Sequence, residues 1–343
     1  MRPRVVVTGG AGYIGAHTCR ALASAGFEPV TFDNLSTGHC GFVRWGPLVK
    51  DDIRNTAAVT EAVRSFGAVA AIHFAACAYV GESVVEPQKY YENNVLGTLS
   101  LLRGLFGAGC KKIVFSSTCA VYGQPERVPI DEAIRPEPVN PYGRSKLMVE
   151  QILADFATAY GLNSVVLRYF NACGASPAGR IGELRDPETH LIPRAMMALQ
   201  GHIDDFHVCG TDYPTPDGTA IRDYIPVDDL AEAHVAALRL LLSGQHGETL
   251  NLGTGWGYSV KQVLDAIEVE TGERLPAANG PRRPGDLAEL VADSSRARAV
   301  LGFNPRFSDL ATIVRTAWAW HRQAHPKKMA TALEERSTPI YDC

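Results

Sequence analysis

A tyrosine and a lysine four residues apart, Tyr142 and Lys146, stand just inside a helix start signalled by Asn140 and Pro141. Residues i and i+4 share one helix face, so the ammonium lies one turn from the phenol. A phenol titrates near ~10 in water and is a poor base at neutral pH, but a neighbouring cation stabilises its phenolate. Taken alone, the pair is a common stacking arrangement on an exposed helix. It gains a partner from Ser116-Ser117-Thr118, which follows the apolar Ile113-Val114-Phe115, because open α/β sheets place ligands at the carboxyl ends of their strands. Thr118 is the hydroxyl expected beside Tyr142. Ser117, and to a lesser degree Ser116, is expected to satisfy backbone groups in a turn.

Near the N-terminus, Val5-Val6-Val7 enters Thr8-Gly9-Gly10-Ala11-Gly12-Tyr13-Ile14-Gly15, and an apolar-periodic helix follows. Glycines at 9, 12 and 15 let a chain turn tightly, bring backbone N–H groups up to a pyrophosphate and pack helix on strand. Gly10, Gly12 and Gly15 satisfy the other common spacing. In a chain with 32 glycines such a motif alone reads as well as a plain tight turn. The next strand lifts it: Thr31-Phe32-Asp33-Asn34 places Asp33 about 20 residues past the central glycine, where a carboxylate accepts from a ribose 2′-hydroxyl. That carboxylate repels a 2′-phosphate, so NAD is expected rather than NADP, and nearby Arg44 is read as a solvated loop residue.

The elements that must position these groups follow from short β-branched runs alternating with longer amphipathic ones. Strands are expected at Val5-Val7, Pro29-Phe32, Val69-Phe74, Ile113-Phe115 and Val165-Leu167, and helices at 12–24, 56–66, 93–106 and 141–160. The fold class is α/β: a doubly wound, Rossmann-type parallel sheet with a smaller C-terminal α/β substrate-binding domain. After Asn171 the chain turns to Cys173-Gly174-Ala175-Ser176-Pro177-Ala178-Gly179 and stays loop-rich as far as Leu191. The boundary is therefore set between residues 1–173 and 174–343, with a segment around 222–244 returning to the first domain. Later helices are expected at 192–200, 227–242, 260–271 and 310–320.

A length of 343 residues leaves room for two packed units. The formal charge of −4, without long single-sign runs, offers no footprint for nucleic acid or an anionic membrane. Eight cysteines without a Cys-x-x-Cys pair spell no zinc knuckle or thioredoxin-type motif, and read as small buried residues; no metal is expected. Neither a signal peptide nor a transmembrane run is spelled, so a reduced, cytoplasmic compartment is expected.

Taken together, Thr8-Gly9-x-x-Gly12-x-x-Gly15, Asp33-Asn34, Asp52-Ile53-Arg54, His73-Phe74-Ala75-Ala76, Asn93-Asn94-Val95 and Tyr142-x-x-x-Lys146 resemble an extended short-chain dehydrogenase/reductase. Within that family, Tyr169-Phe170-Asn171, Arg222-Asp223-Tyr224 and Arg283-Pro284-Gly285-Asp286 resemble the UDP-sugar 4-epimerases. The likeness runs from about Val5 to His325. It implies a tightly bound NAD, regenerated each cycle. The implied contacts are Gly9, Gly12, Tyr13, Ile14 and Gly15 at the loop, Asp33 and Asn34 after the second strand, Asp52 and Ile53 at the adenine, and Asn93 on the nicotinamide side. Phe74, Ala75, Ser116, Tyr142, Lys146 and Tyr169 complete the set.

By the same resemblance, Tyr142 takes the proton of the sugar 4-hydroxyl while the C4 hydride passes to the nicotinamide. The 4-keto sugar turns about its link to the diphosphate and takes the hydride back on its other face. The nucleotide must be gripped while the sugar is left free. Thr118, Tyr142, Asn171, His190, Arg222, Arg283, Asp286 and Leu290 are the implied substrate contacts, with Arg222 and Arg283 on the diphosphate. A homodimer is implied too, through helices near Asn93–Phe106 and Pro141–Tyr160.

The chain departs from the family pattern in places. Ala78 stands where a Lys is common, which removes a charged cofactor contact, and Cys209 replaces a Phe that stacks on uracil. His190 stands for an Asn and is read equally as a nucleotide contact and as a polar residue preceding a helix. His73, inside a strand pattern, is read as a core histidine. A 4,6-dehydratase of this fold carries Asp-Glu beside the catalytic Thr, where this chain has Cys119 and Ala120, and the Glu of decarboxylases is absent. A non-catalytic NAD sensor would need neither Tyr142 nor Lys146. Leu290, at the position that gates the sugar in the family, is intermediate in size. UDP-glucose/UDP-galactose is the first expectation, UDP-xylose/UDP-arabinose the second and a UDP-N-acetylhexosamine the third.

Overall fold

The structure, a computed structural model, describes residues 2–283 and 286–325. Pro284 and Gly285 of the Arg283–Asp286 motif, and the chain from residue 326 onward, lie outside the described residues. The first half runs β1 (Arg4–Thr8), α1 (Tyr13–Ser24), β2 (Glu28–Asp33), β3 (Leu48–Lys50), α2 (Thr56–Phe66), β4 (Ala70–His73), α3 (Val80–Val85), α4 (Pro87–Tyr90), α5 (Gly97–Gly107), β5 (Lys112–Thr118), α6 (Pro141–Tyr160) and β6 (Asn163–Tyr169). The second half runs β7 (Asn171–Cys173), α7 (Leu191–Leu199), β8 (His207–Cys209), β9 (Ile221–Pro226), α8 (Val227–Leu242), β10 (Glu248–Leu252), β11 (Gly257–Ser259), α9 (Val260–Thr271), β12 (Ala278–Gly280), β13 (Glu289–Leu290), α10 (Ser295–Leu301) and α11 (Leu310–Ala324).

Continuous apolar runs such as Val5-Val6-Val7 mark strands covered on both faces. Val5, Val7, Ile72, Val114, Val165 and Leu167 point into one core with Leu22 of α1 and Leu230 and Leu238 of α8. Val6, Ala71, Ile113, Phe115 and Val166 point into the other, with Val59, Leu101 and Val149 from α2, α5 and α6. The main sheet has the order β10-β6-β5-β4-β1-β2-β3, and all its pairs are parallel. From β1 the chain winds outward through β2 and β3, returns to β4 on the other side and winds outward again. The winding reverses between β1 and β4, and the crevice beyond their carboxyl ends is the expected ligand position. A second sheet is built on β9, which pairs with β11 antiparallel and with β7 and β13 in parallel, and β8 pairs with β12.

Several elements differ from the sequence expectation. The edge strands β3 and β10 of the main sheet lie outside the sequence expectation, since Leu48-Val49-Lys50 and Glu248-Thr249-Leu250-Asn251-Leu252 lack the continuous apolar run that marks the inner strands. The helix expected at 93–106 is a π-helical turn over Tyr91–Leu96 followed by α5. Ser116-Ser117-Thr118 do not form a turn: they lengthen β5 to Thr118, because β6 pairs with it all the way from Lys112↔Asn163 to Thr118↔Tyr169. Nor do those serines serve backbone groups; Ser116 donates to the Tyr169 hydroxyl (3.1 Å) and Ser117 to Glu150 (2.5 Å). His73 is a core histidine bonded to Thr8 (2.7 Å) and Thr98 (2.8 Å). Cys19, Cys110 and Cys173 are buried free thiols, and Cys77, Cys119 and Cys209 half-buried ones. No helix among the described residues is long and apolar enough to cross a membrane.

Candidate active site

The glycine loop occupies the crevice where the winding reverses. Gly9 has φ +71°, and a Cβ on it would lie 2.7 Å from the Ala75 nitrogen, while a Cβ on Gly15 would overlap the Gly9 carbonyl. These two glycines fit loop, strand and helix together. Gly12 differs. It is the N-cap of α1 with no side-chain cap and no acidic residue in the first turn, and a Cβ there would meet only the Gly9 oxygen, at 3.3 Å. The first N–H groups of α1 thus face a concavity that a side chain would fill, which is a cradle for a diphosphate. Tyr13 turns its hydroxyl to the Gly174 carbonyl (2.6 Å) and Ile14 packs into the core, so both would serve a cofactor through their backbone.

Asp33, buried at the end of β2, accepts from the N–H groups of Ala11 (3.0 Å) and Leu35 (2.8 Å). Burial raises its pKa and these two bonds oppose the rise. Each oxygen keeps a free lone pair, and the two together are the acceptors a ribose diol needs. Asn34 donates to Asp52 (2.9 Å), whose carboxyl is held well below the usual range, chiefly by Arg54. Ile53 is buried against α5 at Gly97. Phe74 and Ala75 both donate backbone N–H groups to the Thr8 carbonyl (2.9 and 3.2 Å), joining the β1 and β4 ends. Asn93 donates to Asn94 (3.1 Å), which in turn clamps the Cys77 backbone and Ser145. These residues fit an NAD lying across the strand ends.

The catalytic candidates converge beside this crevice. Asn140 caps α6 by accepting from Gly143 (2.8 Å), and Pro141 opens the helix, so Tyr142 and Lys146 both point from its first turns into the protein and are buried. Lys146 donates to the Ser116 carbonyl (2.8 Å) over the Phe115 ring, and burial brings it down to about 8. Tyr142 packs edge-on against Tyr90, and its phenol is pushed well above its ordinary value by burial, with Tyr169 adding and Thr118 and Arg185 opposing. Thr118, the last residue of β5, is therefore at the Tyr142 hydroxyl as expected. The expected help from Lys146 differs: its ammonium is held on Ser116 rather than on the phenol.

The substrate candidates fall in two places. Arg222 on β9 ion-pairs with Asp286 (2.5 Å), Leu290 pairs in register with Arg222 on β13, and Asn171 donates to the Asp223 carbonyl (3.3 Å). Arg283 is exposed, and its carbonyl accepts from Asp286 (3.1 Å). His190 stands apart from that group: it precedes α7 without capping it, and its ring bonds Glu183 (2.6 Å). Arg185, Glu183 and Tyr79 were not singled out in the sequence. They meet here, with Arg185 paired to Glu183 (3.0 Å) over the Tyr79 ring. No periodic signal marks them, because they lie in loops.

The family model for the NAD dependent epimerase/dehydratase family matches residues 5–253. A UDP-glucose 4-epimerase of Rhizobium leguminosarum bv. trifolii is 53% identical over 321 residues, 94% of this chain and 98% of that protein. The crystal structure of the Brucella ovis UDP-glucose 4-epimerase in complex with NAD superposes with a TM-score of 0.90 at 53% identity, covering 92% of this chain and 97% of that one. A Stenotrophomonas maltophila UDP-glucose-4-epimerase with bound NAD and formylated UDP-arabinopyranose superposes with a TM-score of 0.91 at 40% identity, covering 94% and 99%. With the glycine cradle, Asp33 and the Thr118–Tyr142–Lys146 group all in place, the chain belongs to the NAD dependent epimerase/dehydratase family.

Proposed function

We propose that this protein is an NAD-dependent UDP-sugar 4-epimerase acting first on UDP-glucose and UDP-galactose. The observation that carries the reading is the convergence of Tyr142 and Thr118 at the end of β5, beside the uncapped α1 N-terminus. NAD, when bound, supplies the acceptor and later the donor of one hydride, so the reaction has no net redox change. Tyr142 removes the 4-hydroxyl proton as the C4 hydride leaves, and returns it once the 4-keto sugar has turned and regained the hydride on its other face. Thr118 hydrogen-bonds at the same point and holds the reacting oxygen in line. Lys146, fixed to Ser116, places its charge under that end of the strand. Cys119 and Ala120 offer no acid or base for the C5 proton, so elimination does not compete.

Residues 1–173, with α8 and β10 returning to their sheet, would hold the cofactor, and the remainder the nucleotide. Arg222, Asn171 and Arg283 would face the diphosphate, and Arg222 must then exchange Asp286 for phosphate oxygens. Leu290, intermediate in size beside Arg222, supports the hexose reading, and UDP-xylose/UDP-arabinose is the second. The exposed Leu96 and Met148 on the π turn and α6 support a homodimer through those helices.

The test is to incubate the purified protein, without added cofactor, with UDP-galactose and separately UDP-arabinose, and to follow the C4 epimers by proton NMR. Conversion is expected, faster with the hexose. Tyr142→Phe is expected to lose about 10²–10⁴-fold in kcat while keeping its NAD. No conversion of any UDP-sugar with NAD supplied would sink the assignment, and turnover of pentoses alone would move it to the second reading.

A further inference from the structure

We propose that Arg185, reaching back from the loop before α7, is the side-chain cation that holds the cofactor's diphosphate over the crevice between β1 and β4. This rests on the NAD reading above. A lone Arg in a loop is usually solvated, but this side chain is only 21% exposed. Its Nε lies 3.0 Å from Glu183 and its guanidinium lies over the Tyr79 ring at 5.7 Å. Glu183 is itself buried and also takes the His190 Nδ1 (2.6 Å), so the pin is rigid. It engages the Nε edge alone. The two terminal nitrogens make no hydrogen bond to any described residue and keep contact with solvent, so both are open to an acceptor that enters the crevice.

The position of that idle edge points to the acceptor. Tyr79 follows β4, and the preceding Ala78 brings no charge of its own to this segment. The Arg185 charge also reaches the phenols of Tyr13 on α1, Tyr142 on α6 and Tyr169 on β6, opposing the rise that burial imposes on each. Leu184, next to Arg185 in the chain, accepts from the His39 ring (3.0 Å), and His39 donates its N–H to the Ala11 carbonyl (2.9 Å), so Arg185 lies beside the glycine loop at the end of β1 and against Tyr79 after β4. The other cations near these strand ends are engaged: Lys146 with Ser116, Arg54 with Asp52 and Lys89 with Glu82. The groups facing Arg185 are Glu183, Glu188, Tyr79 and Tyr169, with His190 on Glu183. Glu188 turns one oxygen to the backbone N–H groups of Thr189 and His190 (2.8 Å each) and makes no hydrogen bond to Arg185. A diphosphate here meets backbone N–H groups on one side and a fork of two donors on the other.

The test compares the wild type with Arg185→Gln and Arg185→Lys. NAD released per chain on denaturation is measured first, then the affinities of the stripped proteins for ADP-ribose and adenosine by calorimetry. Arg185→Gln is expected to lose bound NAD and to bind ADP-ribose about 10- to 100-fold more weakly, with adenosine unchanged and Arg185→Lys intermediate. Unchanged ADP-ribose binding would overturn the inference. So would an equal loss for adenosine, or a change confined to the KM for the UDP-sugar. A wild type that holds no NAD and binds no ADP-ribose would instead sink the cofactor reading itself.

Discussion

Lys146 donates to the Ser116 carbonyl across 2.8 Å and makes no hydrogen bond to Tyr142, one helical turn away. The ammonium is thereby fixed to the end of β5, while burial holds the Tyr142 phenol protonated. In the protein stripped of cofactor Tyr142 is not yet a base. A bound oxidised nicotinamide would add a positive charge beside the phenol, so binding of NAD⁺ and loss of the phenol proton are expected to be linked.

The expected consequence is proton release on NAD⁺ binding and an affinity for NAD⁺ that rises with pH. The reduced cofactor carries no ring charge and should show neither effect. Calorimetry in two buffers of different ionisation enthalpy checks this, with Tyr142→Phe as control. Equal proton release in wild type and variant would assign the proton to another group.

The two central glycines should fail in different ways. Gly15→Ala drives a methyl into the Gly9 carbonyl, a backbone atom that cannot step aside, and should lower the stability of the apoprotein by about 1–3 kcal/mol. Gly12→Ala meets little in the protein and should change stability by about 1 kcal/mol or less, yet purify without NAD because its methyl enters the cradle. Urea titration and NAD content separate the two. A Gly12→Ala protein that retains NAD would place the diphosphate elsewhere.

Much of this site was legible because its signals are local. Asn140 and Pro141 mark the start of α6, so the spacing of Tyr142 and Lys146 could be read as a shared face. Thr118 was placed by the apolar run before it. The rest depends on side chains that meet across long separations. Arg185 and Tyr79 come together from different loops, and Glu150, placed on a helix, gives no sign that Arg168 on β6 lies against it. The restraint of Lys146 by Ser116 is equally invisible, since it uses a backbone carbonyl.

Glu150 and Arg168 form an ion pair (2.5 Å) with both side chains 8% exposed, fed by Ser117 and tied through Tyr122 to Asn251 on β10. Removing one partner strands the other charge in the core. Glu150→Gln should cost roughly 3–5 kcal/mol, and Glu150→Leu combined with Arg168→Met should recover part of that loss. Denaturant midpoints of Glu150→Leu, Arg168→Met and the double decide it. Additive losses would mean the pair acts as two independent packing contacts.

Four histidines set the acid limit of the fold. Burial lowers His17, His234 and His321 to about 4 and His73 to about 3, with Asp228 opposing at His17 and His325 and His202 adding at His321. Their folded values lie below the unfolded value near ~6.5, so between these the unfolded chain binds more protons. The stabilisation is complete above about pH 6.5 and is lost as pH falls towards the folded values, each histidine contributing a slope of about 1.4 kcal/mol per pH unit. Urea midpoints should therefore fall steeply from pH 6.5 to 4.5, before most carboxylates titrate. Replacing His234, whose Nε2 has no partner among the described residues, by Phe should flatten that slope by about one proton. An unchanged slope would mean that His234 is charged in the fold, and its burial between Phe74 and Tyr169 would then need a counter-charge which the described residues do not supply.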